Sequence, residues 1–235
     1  MPEINRNKIV VFTGSGVSME SGLATFRDAD GLWEEHRIED VASIDGWRRD
    51  PEQVLEFYNQ RRKAVLEAEP NAAHLAIAEL ESLYETVVIT QNIDDLHERA
   101  GSKKVLHLHG QVLKSRSTVN PSLSYDQTGD MSIGDLCVEG HQLRPDIVWF
   151  GEPLGDLSEA VLHLKTAGRV LVVGTSLNVQ PAAGLLKHGR YHAEKIVVSY
   201  EVSKLPFGYK FLRGRAGGLV PLITSAWLEG CRFNP

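Results

Sequence analysis

Four short apolar runs punctuate the chain: KIVVFT at residues 8–13, TVVIT at 86–90, RVLVV at 169–173 and KIVVS at 195–199. Each is continuously apolar and β-branched, the signature of a strand covered on both faces, as in a parallel sheet. Between them the period lengthens. Pro51–Glu67 carries apolar residues at Val54, Leu55, Phe57, Tyr58 and Val65, with Asp50 as a predicted helix N-cap. Residues 72–83 predict a second helix whose core face holds Leu75, Ala76, Leu80 and Leu83. Strands alternating with helices predict an α/β fold, Rossmann-like, with a doubly wound parallel sheet. Two stretches interrupt the alternation. Residues 29–66 hold a helical pattern and no strand, and residues 110–145 are polar throughout. The expected division is a Rossmann-like unit of residues 1–28, 68–110 and 146–235, with residues 29–67 and 111–145 forming a smaller inserted lobe.

Composition narrows the classes of function. A net charge of −6 with no basic stripe argues against a nucleic-acid partner. Only two cysteines occur, Cys137 and Cys231, which is no disulfide framework and suits a reducing cytoplasm. No 18 apolar residues run together and the N-terminal residues have no signal-peptide pattern, so a cytoplasmic protein without membrane contact is expected.

The first run ends in Thr13-Gly14-Ser15-Gly16-Val17-Ser18. Gly14 and Gly16 permit a tight turn and close backbone approach to a phosphate, and a following helix would aim its N-terminal N–H groups at a pyrophosphate. A plain turn is the competing reading, because the third glycine, Gly22, is not where a dehydrogenase fingerprint wants it. No acidic residue ends the second run, which counts against hydride transfer. The second run leads into Gln91, Asn92 and Asp94, at the carboxyl end of a buried strand where open α/β sheets bind ligands. The alternative there is an Asx turn capping the next helix. His109 precedes Gly110, and His107 is a rival for any histidine chemistry.

Taken together, five motifs resemble those of the sirtuin (Sir2) family, in family order. G-S-G-V-S-M-E-S-G-L-A-T-F-R from Gly14 to Arg27 is similar to G-A-G-I-S-x-x-S-G-I-P-x-F-R. T-Q-N-I-D-D-L-H-E-R-A-G from Thr90 to Gly101 is similar to T-Q-N-x-D-x-L-H-x-x-A-G. His109-Gly110 resembles the H-G motif, R-P-D-I-V-W-F-G-E from Arg144 to Glu152 resembles R-P-x-V-V-x-F-G-E, and Gly174-Thr175-Ser176 resembles the late G-T-S motif. The resemblance implies an NAD-dependent protein lysine deacylase. It places NAD against Gly14, Ser15, Gly16, Ser18, Thr25, Phe26, Arg27, Gln91, Asn92, Asp94, Gly174, Thr175 and Ser176. It implies His109, Asn92 and Asp94 as catalytic, with His109 as general base on a ribose hydroxyl. An acyl-lysine protein or peptide is the implied partner, its backbone paired against Val148, Trp149, Phe150 and Gly151. NAD is consumed as co-substrate, nicotinamide and 2′-O-acyl-ADP-ribose are released, and the chain is expected to act as a monomer. NAD hydrolysis or ADP-ribosyl transfer in the same cleft is the alternative chemistry. A non-catalytic NAD or ADP-ribose sensor is the alternative outside catalysis.

Tyr58 and Arg61 stand three apart on the predicted helix and so share a face. They resemble the Y-x-x-R pair of the sirtuin subclass that removes succinyl, malonyl and glutaryl groups, in which Ala29 would match a small pocket-widening residue. A guanidinium can grip a carboxylate through two charge-assisted bonds and a phenol can add a third. The plain alternative makes Arg61 and Arg62 solvated helix-face charges with Tyr58 in the core. The family's structural zinc uses two C-x-x-C pairs. Here the first aligns with Ser117 and Asn120, and the second with Cys137 and Gly140. One thiolate cannot make a tetrahedral sulfur site, even with His141 adjacent, so no zinc is expected and the lobe should be marginally packed.

Overall fold

The computed structural model describes residues 3–25, 32–33 and 36–234. Along the chain the strands are β1 (Asn5–Thr13), β2 (Leu32–Trp33), β3 (His36–Arg37), β4 (Glu85–Thr90), β5 (Val105–His107), β6 (Gly110–Ser117), β7 (Ser124–Asp126), β8 (Leu143–Ile147), β9 (Ala167–Val173), β10 (Glu194–Ser199) and β11 (Lys210–Arg213). The α-helices are α1 (Ile38–Val41), α2 (Ile44–Arg49), α3 (Pro51–Glu67), α4 (Ala72–Glu79), α5 (Leu96–Arg99), α6 (Ser158–Thr166) and α7 (Ala216–Leu228). All four apolar runs are strands of one six-stranded parallel sheet, ordered β11-β10-β9-β1-β4-β5. Alternate residues of β1 feed two cores. Val10 and Phe12 pack with α6 on one face, while Ile9 and Val11 pack with α4 and α7 on the other. This explains why the run shows no period of two.

The order reverses at β1, since β4 and β5 lie to one side and β9 to β11 to the other. A crevice therefore opens at the carboxyl ends of β1, β4 and β9, the place where such sheets take ligands. A separate small antiparallel sheet, β7-β6-β8, stands beside it. A third core, containing Val54, Phe57, Tyr58, Val112, Ile147 and Trp149, joins α3 to that sheet. Among the described residues no helix is long and apolar enough to cross a membrane.

The helix punctuation is as read. The Asp50 side chain accepts the Gln53 N–H at 2.9 Å, and Pro51 opens α3 where its missing N–H costs nothing. Three expectations are corrected. The stretch 29–66 does contain strands, the two-residue pair β2 and β3. The polar stretch 110–145 holds β6, β7 and most of β8. The core face of α4 is Ala73, Ala76, Ile77 and Leu80, whereas Leu75 and Leu83 are 54% and 63% exposed. Small residues let α4 lie close to the sheet. The chain also tightens to a 3₁₀ turn over Leu80–Ser82, which shifts the period and turns Leu83 outward.

Candidate active site

The floor of the crevice is built from three strand ends tied together. Gly14 donates to the Val173 carbonyl at 3.0 Å, Gly16 to Gly174 at 2.9 Å, and Gln91 to Thr13 at 2.9 Å. A Cβ on Gly16 would lie 2.9 Å from the Gly174 Cα, and Gly174 itself has φ +65. These glycines let two loops touch, a demand beyond the phosphate approach inferred from sequence. The segment after Gly14 forms two 3₁₀ turns, Ser15–Val17 and Met19–Ser21, rather than the expected α-helix. The turn at Val17 packs into the core under the sheet.

The Gln91–Asp94 segment leaves β4 over a buried polar hub. Thr13 Oγ1 donates to Thr90 Oγ1 at 2.8 Å, and the Asn92 N–H donates to the same oxygen at 3.0 Å. The His97 ring reaches Thr13 Oγ1 through Nε2 at 3.1 Å, and burial holds that imidazole well below its ordinary range. Asn92 Nδ2 donates to Ser18 Oγ, which in turn donates to Asp94 Oδ2, both at 3.0 Å. Asp94 Oδ1 accepts the Leu96 N–H at 3.2 Å. Burial pushes the Asp94 carboxyl up, against the pull of those two donors. The loop therefore contains the Asx-type bond, and the same residues line the cavity. Asn92 Oδ1 and Gln91 Nε2 are buried without a hydrogen-bond partner among the described residues.

Geometry separates the two histidines. The His109 Nδ1 lies 3.0 Å from the Gln91 carbonyl, an acceptor only, so Nδ1 carries the hydrogen and Nε2 keeps its lone pair. Burial lowers the His109 imidazole, keeping it in the basic form near neutral pH. His109 lines the crevice and His107 does not.

On the far wall, α3 presents Tyr58 and Arg61. Tyr58 is fully buried from bulk solvent and accepts a hydrogen bond from Trp149 Nε1 at 3.0 Å. Burial raises its phenol well above the ordinary range, so it stays a donor. Arg61 is 4% exposed, with its guanidinium 5.4 Å from the Trp33 ring centroid. The reading of both arginines as solvated charges fails. Arg62 is 1% exposed and donates to the Val112 carbonyl at 3.1 Å, Asn59 Oδ1 at 2.8 Å and Met131 Sδ at 3.5 Å.

The segment from Val148 to Gly151 is held by Arg144, which grips both Glu152 oxygens at 2.6 and 2.8 Å and lies 3.4 Å from the Trp149 ring centroid. Val148 N–H is spent on His109, Trp149 N–H on Glu152 and Phe150 N–H on Ala42. The expectation that the whole segment offers its backbone to a peptide is narrowed accordingly.

One cavity of about 410 Å³ gathers these groups. Gly14, Ser15, Gly16, Ser18, Thr25, Gln91, Asn92, Asp94, Gly174, Thr175 and Ser176 line it, together with His109, Tyr58, Arg61, Val148, Trp149, Phe150 and Gly151. Phe26, Arg27 and Ala29 lie outside the described residues. The sequence reading missed Trp33, whose signal was only an isolated aromatic, and Glu20, whose Oε1 accepts the Gly217 N–H at the start of α7 at 2.8 Å. A family model described as the Sir2 family matches residues 14–181. The chain belongs to the Sir2 family. An NAD-dependent protein deacylase of Helicobacter pylori (strain ATCC 700392 / 26695) is 54% identical over 79% of this chain and 81% of its own. The solved structure of a Sir2 homolog–NAD complex has a TM-score of 0.83 and 39% identity, over 95% of this chain and 90% of that one. Sir2 bound to acetylated peptide has a TM-score of 0.76 and 31% identity, over 94% and 92%.

Membership in this family directs attention to the zinc positions. Ser117, Asn120 and Cys137 are brought together, but by hydrogen bonds. Ser117 Oγ accepts the N–H groups of Val119 and Asn120, each at 3.2 Å, and the Cys137 thiol at 3.5 Å. Among the described residues no group of three or more His, Cys, Asp or Glu side chains could hold a metal ion. Of the few apolar groups in this lobe, Met131 is buried, with both its backbone groups bonded to the Asn59 amide at 2.9 Å, whereas Val119, Ile133 and Leu136 are exposed.

Proposed function

We propose that this Sir2-family chain is an NAD-dependent protein lysine deacylase that favours acyl groups ending in a carboxylate: succinyl, malonyl and glutaryl over acetyl. The supporting observation is that Tyr58 and Arg61 line the same cavity as His109 and the glycine loops. NAD fits this chain's residues, because Gly14, Gly16 and Gly174 line the cavity with backbone alone and Asn92 Oδ1 and Gln91 Nε2 offer one unused acceptor and one unused donor. When bound, NAD supplies an electrophilic ribose carbon to the acyl oxygen and leaves as nicotinamide and acyl-ADP-ribose.

The residues divide the work. Asn92 and Asp94, fixed through Ser18, orient the nicotinamide ribose. His109 accepts a proton from a ribose hydroxyl at Nε2, while the Gln91 carbonyl holds its tautomer and burial keeps it unprotonated. Trp149, Val148 and Phe150 wall the acyl-lysine channel. Arg61 and the Tyr58 hydroxyl bind the terminal carboxylate, which would otherwise lose its hydration without compensation. The free thiols of Cys137 and Cys231 fit a cytoplasmic enzyme.

The test is nicotinamide release with succinylated peptide, with acetylated peptide and with none. Deacylation requires peptide-dependent release and loss of it in His109→Ala, by about 10²- to 10⁴-fold for a general base. Equal release without peptide would favour NAD hydrolysis. Binding of NAD with no release would favour a sensor.

A further inference from the structure

The loop that carries Gln91, Asn92 and Asp94 is fastened by four consecutive carbonyls. Thr90 O accepts the Leu108 N–H at 2.9 Å, and Ile93 O accepts the Val112 N–H at 2.8 Å. Between them, Gln91 O faces His109 Nδ1 at 3.0 Å and Asn92 O faces His107 Nδ1 at 3.1 Å. Two fasteners are backbone and need no particular side chain. The third is the proposed general base. The fourth, His107, has no place in the chemistry described above and does not line the cavity.

We infer that His107 is a positioning residue for deacylation, holding the Asn92 carbonyl so that the Asn92 side chain keeps its ligand-facing register. A carbonyl and a carboxylate both only accept, so the Asn92 contact needs a hydrogen on His107 Nδ1 and the Glu98 contact another on Nε2. The ring is held from behind, since its Nε2 lies 2.7 Å from Glu98 Oε1 and its side chain is only 7% exposed. Asn92 is then restrained at three points: its N–H on Thr90 Oγ1, its carbonyl on His107 and its Nδ2 on Ser18. Only Oδ1 is left, buried and without a partner among the described residues. Releasing the carbonyl frees the peptide plane that follows Asn92, and with it the direction of Oδ1 and the approach to Asp94. Residues 92 and 94 thus depend on a contact made outside the cavity.

This inference rests on the proposed role of Asn92, and the experiment separates the two. An asparagine at 107 places its amide nitrogen where Nδ1 lies, keeping a donor for the Asn92 carbonyl but losing Glu98. A glutamine at 107 places its amide nitrogen where Nε2 lies, keeping Glu98 but losing the carbonyl. Turnover, NAD affinity by calorimetry and Tm are measured for the parent, His107→Asn, His107→Gln and Asn92→Ala. His107→Gln should lose about 10- to 100-fold in kcat, the scale of a mispositioned reacting group, with KM for the acyl peptide little changed and the fold intact. His107→Asn should recover to within about threefold of the parent despite losing its contact with Glu98. The reverse order, His107→Gln active and His107→Asn impaired, would overturn the inference and leave His107 as an ion-pair staple. So would equal activity of both variants, or losses that simply track Tm. If Asn92→Ala keeps parental kcat, the reading of the loop itself fails, and the inference with it.

Discussion

The Tyr58 hydroxyl accepts a hydrogen bond from Trp149 Nε1 at 3.0 Å, which joins α3 to the segment from Val148 to Gly151. Because the phenol oxygen accepts from the indole, its own hydrogen is directed elsewhere, and burial keeps that hydrogen in place by raising the phenol. Tyr58→Phe should therefore lower kcat/KM for succinyl peptide by roughly 10- to 100-fold, the value of a hydrogen bond to a charged group. Acetyl peptide, with no carboxylate to meet the phenol, should be affected far less. Parallel losses on both peptides would instead make Tyr58 a packing residue.

Arg62 carries a different expectation from its neighbour. It ties α3 to β6 and Met131 from a position 1% exposed. Truncation leaves the Val112 carbonyl buried without this donor. Arg62→Met should cost about 2–3 kcal/mol and lower Tm by roughly 4–12 °C. Both acyl activities should fall together as the fold weakens. An unchanged Tm would show that this buried guanidinium contributes nothing net.

The acid limb of stability should be set partly by His74. Its ring is buried against His97 at 4.8 Å between centroids, and burial lowers it to about 4. In the unfolded chain the same group takes up its proton near its ordinary value of about 6.5. Protonation therefore favours unfolding, and stability is lost as pH falls from there toward 4, by a total on the order of 3 kcal/mol. Tm measured from pH 7 to pH 4 should fall, and the fall should be shallower in His74→Phe even though that variant starts lower. Identical slopes would reject the assignment.

Much of this was legible in the chain because it depends on local chemistry. Four of the six sheet strands declared themselves by apolar runs, the edge strands β5 and β11 did not, and α3 was marked by Asp50 followed by Pro51. The loops that line the cavity announced themselves through glycines and amides at strand ends. What stayed hidden depends on distant partners. Strands β6 and β8 carry Arg116 and Arg144, which share Glu152 and the Ile147 carbonyl, with Asp146 also meeting Arg116. No periodicity encodes that pairing. The burial of Arg62 was equally illegible, because two of its three acceptors come from residues 50 and 69 positions away. The face of α4 was misjudged by weighting leucine over alanine, when Ala73 and Ala76 allow the close approach.

The hydrogen-bonded cluster at Ser117 gives an expectation for metal removal. Ser117 Oγ gathers Val119, Asn120 and Cys137 by hydrogen bonds. Prolonged chelation should leave Tm and activity where they were, in contrast to proteins whose structural zinc supplies folding energy. Ser117→Ala should lower Tm by removing the hub. A chelator-induced loss of structure, reversed by zinc, would contradict this account.

The proposed acyl preference depends on Arg61, held over Trp33 inside the cavity, binding the carboxylate of the acyl group. Its most direct test is kcat/KM for succinyl and acetyl forms of one peptide, with the parent and with Arg61→Met. The parent should prefer succinyl by roughly 10- to 100-fold. Arg61→Met should erase that preference by losing succinyl activity while keeping or gaining acetyl activity. A parent that prefers acetyl, or a variant that loses both activities in equal proportion, would contradict the claim.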